Sequence, residues 1–213
     1  MLIIFDCDGV LVDSEMIASR ELAAYLTDLG RPTTGEECRA SFTGLSIKTV
    51  GEKVRAWGLA IPDDFEASLR ARDFAAFDRD LKIIPGVVSA LDALDRLGLR
   101  YCVASSGAPE KIRHSLTITR LLERFDGHVF SAAQVANGKP APDLFLLAAA
   151  TMGVAPDDCL VIEDSPAGVA GALAAGMRVL GFTGGSHCGP NHAEILKQAD
   201  AVFDAMAALP ELL

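Results

Sequence analysis

Short hydrophobic runs recur along the chain, and each ends in polar or turn-forming residues. Continuous apolar runs of this length are typical of strands buried on both faces of a parallel sheet. Stretches with helical periodicity separate the runs, and this alternation predicts βαβ units. We therefore predict strands at residues 2–5, 100–104, 128–130, 160–162 and 178–182.

Prolines indicate where several of the intervening helices begin. Proline is favoured in the first turn of a helix because its fixed φ is helical and its missing N–H has no partner there. Pro85 opens an apolar repeat that Gly98 closes. The first turns of later helices are expected at Pro109, Pro142 and Pro166. The combined pattern predicts an α/β protein of the doubly wound class.

One long interval, from Ser14 to about Lys82, has no convincing strand pattern. Its apolar periodicity instead predicts helices at residues 15–29, 46–57 and 64–81, with Ser46 as a possible N-cap. We expect a helical module at residues 15–82, inserted into a core formed by residues 1–14 plus 83–213. The linkers at residues 12–15 and 79–84 would then act as a hinge.

Composition narrows the classes of partner. The 213 residues include 19 Lys plus Arg against 29 Asp plus Glu, a formal net charge of −10. This field repels polyanions, so nucleic acid is not expected as a partner. A small phosphorylated metabolite is still compatible, because a bound cation and a few local donors reverse the field within one cleft.

Targeting and redox signals are weak in this sequence. The apolar start at residues 1–5 meets Asp6 too early for a signal peptide, and no apolar stretch reaches the roughly 18 residues of a membrane span. Five cysteines without CxxC spacing favour a reducing compartment. We expect a cytoplasmic protein with no membrane partner, and a monomer.

Polar side chains follow the predicted strands at the points where each strand ends. Active sites of open parallel sheets lie outside the carboxyl ends of the strands. The candidate groups are Asp6, Asp8, Ser105, Ser106, Gly107, Lys139, Glu163 and Asp164. Their chemistry suits phosphoryl transfer, which needs positioning and charge neutralisation above all.

Each candidate group can be given a role. Asp6 would attack phosphorus as a nucleophile, and Asp8 would protonate the leaving oxygen and later deprotonate water. A hard cation such as Mg²⁺ would bind the side chains of Asp6 and Asp164 and the carbonyl of Asp8, while Glu163 would orient neighbouring ligands. The phosphoryl oxygens would contact Ser105, the amides of Ser106 and Gly107, and Lys139.

These residues occur in motifs that resemble those of the haloacid dehalogenase superfamily. Residues 6–14 are DCDGVLVDS, like its first motif, and Ser105 ends a strand as in the second. Residues 138–143 (GKPAPD) and 162–165 (IEDS) are similar to the third and fourth. The resemblance spans nearly the whole chain and implies a Rossmann-like parallel sheet core with an inserted α-helical cap domain. That cap falls where the helical interval was found.

Single positions favour one branch of that superfamily. Asp8 favours phosphoryl chemistry over dehalogenation, because halide departure needs no proton. Related β-phosphoglucomutases carry a cap histidine where Ala18 stands and a phosphate-binding arginine where Ile47 stands. The resemblance therefore implies a phosphatase for a sugar phosphate or phosphoglycolate-like metabolite. A sugar phosphomutase is the alternative, and a non-catalytic binding protein on the same scaffold is a third.

Candidates for substrate specificity lie in the helical module. They are Gly44, Leu45, Ser46 and Lys48, with Arg39 as a further cap contact. Ordinary surface charges and a plain turn explain these residues equally well. The four histidines, His114, His128, His187 and His192, follow no familiar metal-ligand spacing, and we expect no role for them.

Overall fold

A six-stranded, all-parallel sheet forms the centre of the larger unit. The structure is a computed structural model that describes residues 1–125 and 127–213. The strands are β1 (Leu2–Phe5), β2 (Arg100–Ser105), β3 (Val129–Ser131), β4 (Cys159–Glu163), β5 (Arg178–Phe182) and β6 (Ala201–Phe203). Their order in the sheet is β3-β2-β1-β4-β5-β6. The predicted α/β fold class is confirmed.

The first strand lies in the middle of the sheet. In the register, Phe5 is opposite Val103 of β2 and Ile162 of β4. All four residues of β1 are buried, as a continuous apolar run between two layers of helices requires. The residues that follow β1, β2 and β4 consequently emerge side by side at one edge of the sheet.

Nine α-helices occur in the described residues. They are α1 (Glu15–Asp28), α2 (Gly35–Phe42), α3 (Ile47–Ala56), α4 (Phe65–Asp80), α5 (Val87–Arg96), α6 (Pro109–Ile118), α7 (Asp143–Met152), α8 (Pro166–Ala174) and α9 (His192–Ile195). Pro109 and Pro166 occupy the first helical positions as predicted. Pro142 instead precedes the first residue of α7 as its N-cap. Among the described residues, none of these helices is long and apolar enough to cross a lipid bilayer.

The chain divides into two compact units, one formed by Met1–Asp13 with Lys82–Leu213 and one by Ser14–Leu81. The second unit contains α1 to α4 and has its own buried apolar cluster. Within it, the rings of Tyr25 and Phe65 stack with their centroids 5.2 Å apart. An apolar cluster of its own is what allows such a module to be inserted between β1 and the rest of the sheet.

Two helices, α2 and α9, and one strand, β6, were missing from the prediction. Helix α2 is short and polar, and the signal for its start is a capping box in which the hydroxyl of Thr34 accepts from the Glu37 amide and the Glu37 carboxylate accepts from the Thr34 amide. Strand β6 has three residues at the sheet edge, where Ala201 and Val202 are exposed and no apolar run is required.

Candidate active site

Asp6 is the first residue beyond β1, at the carboxyl end of this central strand. Its amide donates to the carbonyl of Ile162 at 3.0 Å, so the chain stays in register with β4 up to this point. Gly9 then turns the chain with φ of +79°. A Cβ on Gly9 would lie 1.9 Å from Oδ2 of Asp164, so only glycine leaves room for that carboxylate.

Lys139 joins two buried acids. Its Nζ donates to Asp6 Oδ1 at 2.6 Å and to the carbonyl of Ala104 at 2.9 Å, and it also contacts Glu163. The Lys139 side chain is only 3% exposed. Burial lowers the pKa of Lys139, but the charges of Asp6 and Glu163 outweigh that effect and hold its pKa above the ordinary value. Lys139 is therefore a fixed positive charge beside Asp6.

The negative charge around Asp6 exceeds what Lys139 neutralises. Burial is the main cause that raises the pKa of Asp6 well above its usual range; Lys139 opposes the shift, and Glu163, Asp164 and Asp8 add to it. A carboxylate held among other carboxylates in a desolvated site is stabilised by an additional cation. The charge imbalance thus favours binding of a cation at this edge of the sheet.

Glu163 ends β4 and is fully buried. Its Oε2 accepts from the amide of Ser165 at 3.0 Å and from the hydroxyl of Ser165 at 2.9 Å. A Cβ on Gly168 would lie within about 2 Å of the Glu163 carboxyl group, at 1.8 Å from Cδ. Gly168 therefore permits close packing of helix α8 on this acid.

Asp8 forms an ion pair that sequence reasoning did not predict. The Nζ of Lys111 lies 3.0 Å from Asp8 Oδ1, with side-chain exposures of 20% and 13%. Lys111 belongs to the first turn of α6, which begins just beyond the Ser105–Gly107 segment. Its position in the sequence, six residues after the end of the β2 strand, is the signal that could have identified it.

The segment after β2 is held in place by its own hydrogen bonds. The amide of Gly107 donates to Ser105 Oγ at 3.1 Å, and the hydroxyl of Ser131 donates to the Gly107 carbonyl at 2.6 Å. A Cβ on Gly107 would lie 3.6 Å from Asp8 Oδ2. Ser105 is buried and Ser106 is half-buried beside it. Gly107, one of the candidate phosphate-binding residues, therefore lies next to Asp8.

Two of the histidines for which no role was expected contact Asp164. His187 Nε2 lies 2.9 Å from Asp164 Oδ2, and His192 Nε2 donates to the Asp164 carbonyl at 2.7 Å. Burial lowers the pKa of His187, but the hydrogen bond to Asp164 outweighs it and raises the pKa to about 10. The sequence signal that could have found them is the group of turn-forming residues around His187, namely Gly184, Gly185, Gly189 and Pro190.

The residues at this edge fit Mg²⁺. The side chains of Asp6 and Asp164 and the backbone carbonyl of Asp8 offer oxygen atoms, which are the ligands that Mg²⁺ prefers. The space beside Asp164 exists because Gly9 has no side chain. Burial raises the pKa of Asp6, and the charges of the neighbouring acids add to that rise; a divalent cation would offset those charges. These three residues are the ones that would hold the ion.

The predicted specificity residues all lie in the Ser14–Leu81 unit. Gly44, Leu45, Ser46 and Lys48 are exposed in the segment between α2 and α3 and at the start of α3. Gly44 has φ of +77°. Ser46 caps α3, as predicted, because its Oγ accepts from the Thr49 amide at 3.2 Å. The role of this segment toward a substrate stays a prediction.

Arg39, the further cap candidate, lines a groove between α1 and α2. The groove is formed by Met16, Ile17, Ser19, Arg20, Gly35, Glu36 and Arg39. Arg20 in this groove donates to Asp80 at 2.6 Å and to Glu21, so its guanidinium is tied to acids of the same unit. Surface ion pairs of this kind hold helices together as readily as they bind a ligand.

Comparison with known proteins identifies the family. The family model of the haloacid dehalogenase-like hydrolases matches residues 1–176. The chain belongs to the haloacid dehalogenase-like hydrolases. The resemblance to this family is thereby confirmed. Residues of the first, second and fourth motifs of this hydrolase lie at the carboxyl ends of β1, β2 and β4. Lys139 of the third motif contacts Asp6 of the first.

Relatives of this haloacid dehalogenase-like hydrolase include phosphatases. The 6-phosphogluconate phosphatase of Escherichia coli is 32% identical over 212 residues, covering 99% of this chain and 93% of that protein. A solved structure of a haloacid dehalogenase-like protein of unknown function from Agrobacterium tumefaciens is 40% identical, with a TM-score of 0.84 and coverage of 99% and 96%. A family hydrolase from Deinococcus radiodurans, solved with bound phosphate and sodium, is 31% identical with a TM-score of 0.80, covering 100% and 96%.

Proposed function

We propose that this hydrolase is a Mg²⁺-dependent phosphatase that removes phosphate from a small phosphorylated metabolite through a phosphoaspartyl intermediate on Asp6. The observation that carries the proposal is the pairing of two acids with two fixed ammonium groups. Asp6 is buried against Lys139 at 2.6 Å, and Asp8, two residues further, is held by Lys111 at 3.0 Å. Two acids in such different surroundings suit two different roles.

In the first step, a carboxylate oxygen of Asp6 attacks phosphorus and the bond from phosphorus to the leaving oxygen breaks. Asp8, in its protonated form, donates its proton to that oxygen, so the metabolite leaves with a neutral hydroxyl group. Lys139 keeps its positive charge beside Asp6 throughout, because its raised pKa prevents loss of the proton. The enzyme then carries an acyl phosphate on Asp6.

In the second step, water attacks the phosphorus of the acyl phosphate. Asp8, now a carboxylate, takes the proton from this water, and the bond between phosphorus and the Asp6 oxygen breaks. Inorganic phosphate and the starting carboxylate are released, and Asp8 is protonated again. Using one residue first as acid and then as base makes the cycle close without any other proton donor.

The charges on the phosphate must be neutralised for Asp6 to approach it. Mg²⁺, held by Asp6, Asp164 and the carbonyl of Asp8, would supply part of that neutralisation and would align the phosphate with Asp6. The chain itself would supply the hydroxyl of Ser105 and the amides of Ser106 and Gly107 as hydrogen-bond donors, with the Gly107 amide turning to the phosphate from Ser105 Oγ, to which it donates in this structure. Lys139 adds the fixed positive charge on the side of Asp6.

The substrate we propose is a sugar phosphate or a phosphoglycolate-like acid. The relative from Escherichia coli is named for 6-phosphogluconate, a phosphorylated sugar acid, which makes this compound the first to test. Hydrolysis is favoured over the phosphomutase alternative by Ala18 and Ile47, which replace the histidine and the arginine that the mutase resemblance would require. The specificity residues would be Gly44, Leu45, Ser46 and Lys48.

We also propose a monomer in the cytoplasm. The five cysteines are all free, and four of them are buried, a pattern that suits a reducing compartment. Light scattering after gel filtration would measure the mass directly, and a dimer mass at micromolar concentration would contradict the proposal.

The test is phosphate release from 6-phosphogluconate, other sugar phosphates, phosphoglycolate and p-nitrophenyl phosphate, with Mg²⁺ and with EDTA. Wild type, Asp6→Asn and the matched control Asp157→Asn, an exposed acid of the same unit, are compared. We expect Mg²⁺-dependent release that Asp6→Asn abolishes and Asp157→Asn preserves. Full activity of Asp6→Asn would contradict the proposal, and conversion of a hexose 1-phosphate to its 6-phosphate without release of phosphate would favour the mutase.

A further inference from the structure

A second group of metal-binding side chains lies in the loop between β5 and α9 and at the start of α9. His187, Cys188 and His192 each offer one ligand atom, and these atoms lie within 4.8 Å of one another. Among the described residues, this is the group of three or more His, Cys, Asp or Glu side chains that comes close enough to share one ion. It contains nitrogen and sulfur donors, whereas the Asp6 site contains oxygen donors.

One separation in this group, between Cys188 and His187, is that of a tetrahedral metal site. Zinc bonds of about 2.1 Å to nitrogen and about 2.3 Å to sulfur place adjacent ligand atoms about 3.3–3.6 Å apart. Cys188 Sγ lies 3.4 Å from His187 Nε2 and 4.0 Å from His187 Nδ1. The rings of His187 and His192 meet edge to face with centroids 5.4 Å apart. Small side-chain adjustments are sufficient to place an ion between them.

His192 is oriented as a metal-binding histidine is. Its Nε2 donates to the backbone carbonyl of Asp164 at 2.7 Å, which leaves the lone pair of Nδ1 for another partner. Histidines that bind metal ordinarily donate their other ring N–H to a carbonyl or carboxylate, which fixes the tautomer and the ring orientation. The hydrogen bond to Asp164 therefore prepares His192 to bind through Nδ1.

The loop is built around the buried ring of His187. His187 is 4% exposed. A Cβ on Gly185 would lie 2.7 Å from both Cε1 and Nδ1 of that ring, so the glycine makes room for the imidazole. Cys188 and His192 are partly exposed, which leaves the cluster open to ions from solvent. A buried anchor with two accessible ligands suits reversible metal binding.

We propose that His187, Cys188 and His192 bind one Zn²⁺ ion, at a site separate from the Mg²⁺ ligands. Thiolate and imidazole prefer a borderline-soft ion such as Zn²⁺, and Mg²⁺ does not compete for them. Water fills the fourth position, because Asp164 Oδ2, which lies 2.9 Å from His187 Nε2, is assigned to Mg²⁺. Binding through His187 Nε2 replaces the proton shared with Asp164, and binding by Cys188 releases the thiol proton.

The experiment uses metal-free, reduced protein titrated with Zn²⁺ and, as a spectroscopic probe, with Co²⁺. Zinc is measured by competition with a chromophoric chelator, and cobalt by its thiolate charge-transfer band and by the intense visible bands of tetrahedral Co²⁺. Wild type is compared with Cys188→Ser and His192→Gln, and His128→Gln, an exposed histidine of the same unit, is the matched control. Circular dichroism and thermal unfolding in EDTA establish that each variant is folded.

We expect one equivalent of Zn²⁺ per wild-type chain and a thiolate–cobalt band that excess Mg²⁺ does not remove. Cys188→Ser should lose that band. Both Cys188→Ser and His192→Gln should bind Zn²⁺ at least about 100-fold more weakly, which exceeds the cost of losing a residue that only hydrogen-bonds to a metal ligand. His128→Gln should bind as wild type does. Absence of the band in the wild type, or equal zinc affinity in folded Cys188→Ser and wild type, would overturn the proposal. Zinc binding is measured without substrate, so its outcome is independent of the phosphatase assay.

Discussion

The ammonium group of Lys111 lies 3.0 Å from Oδ1 of Asp8, and both side chains are largely buried. This ion pair connects the first turn of α6 to the loop after β1. In the proposed cycle, Asp8 must deliver a proton to the leaving oxygen and then accept one from water. Lys111 is therefore a positioning residue for the acid, in addition to a positive charge near the phosphate-binding segment.

Replacing Lys111 should lower the rate by an amount that depends on the leaving group. Lys111→Met frees the Asp8 carboxyl group, and misplacement of a catalytic group costs about 100-fold. The kcat for a sugar phosphate should fall by about that factor. The kcat for p-nitrophenyl phosphate should fall much less, because its leaving group departs without a proton.

Lys111→Arg should recover part of the lost kcat for the sugar phosphate. Lys197→Met, at an exposed lysine, should change the kcat of neither substrate. An equal loss with both substrates would indicate that Lys111 binds the phosphate and does not act through Asp8.

Removal of the acid itself should separate the two chemical steps. Asp8→Asn can neither protonate the leaving oxygen nor deprotonate water, and general acid–base groups contribute about 10²- to 10⁴-fold. With p-nitrophenyl phosphate we expect a burst of about one p-nitrophenol per active site, followed by slow turnover. Mass spectrometry of the quenched enzyme should find phosphate on the peptide that contains Asp6. Steady-state kinetics without a burst would contradict the assigned role of Asp8.

Lys139 should stabilise the metal-free protein. It is buried between Asp6 and Glu163, so Lys139→Met leaves two buried acids without their cation. Breaking a buried pair by removing one partner costs about 3–5 kcal/mol. Urea unfolding in EDTA should show that loss, and Lys139→Met combined with Glu163→Gln should recover part of it. If Lys139→Met were as stable as the exposed control Lys197→Met, the buried ion pairs would not stabilise the fold.

Glu37 should give the helical unit a stability that depends on pH. Hydrogen bonds from the amide and then from the hydroxyl of Thr34 lower the pKa of the Glu37 carboxyl group. An acid with a lowered folded-state pKa stabilises the protein above the ordinary pKa of glutamate, and this contribution is lost as pH falls through the lowered pKa. The melting temperature of wild type should therefore exceed that of Glu37→Ala at neutral pH, and the difference should shrink in acid.

Glu37→Gln provides the matching control for that measurement. Glutamine serves equally at this position of a capping box, so most of the hydrogen bonding should persist. Only the part of the stabilisation that depends on the charge of Glu37, and hence on pH, should disappear. Thr34→Ala should cost about 1 kcal/mol by loss of the N-cap. A difference between wild type and Glu37→Ala that stays constant with pH would contradict the assigned charge effect.

The segment between α2 and α3 should affect substrate choice and not chemistry. Leu45→Ala and Lys48→Ala should each change the KM of the preferred sugar phosphate about tenfold, equivalent to roughly 1.4 kcal/mol. The rate with p-nitrophenyl phosphate should be unchanged, because that compound has no sugar to recognise. Arg55→Ala, exposed on the same helix α3, is the control. Unchanged KM values across the whole panel of substrates would remove this segment from the proposed specificity site.

The sequence by itself determined the fold class and most of the elements. Strands β1 and β5 begin and end at the predicted residues, because a run buried on both faces must be continuously apolar. The order of the polar groups after the strands was also visible in the sequence, since a parallel sheet brings the carboxyl ends of its strands to one edge. Family membership followed from the same motifs.

Only the tertiary structure decided which side chains touch across distant segments. Lys111 reaches Asp8, and His187 and His192 reach Asp164, over separations that no local periodicity encodes. Short elements such as β6 were equally invisible, because an exposed edge strand has no apolar run. Local patterns report burial and backbone preference, whereas long-range contacts depend on how packed helices and loops place side chains in space.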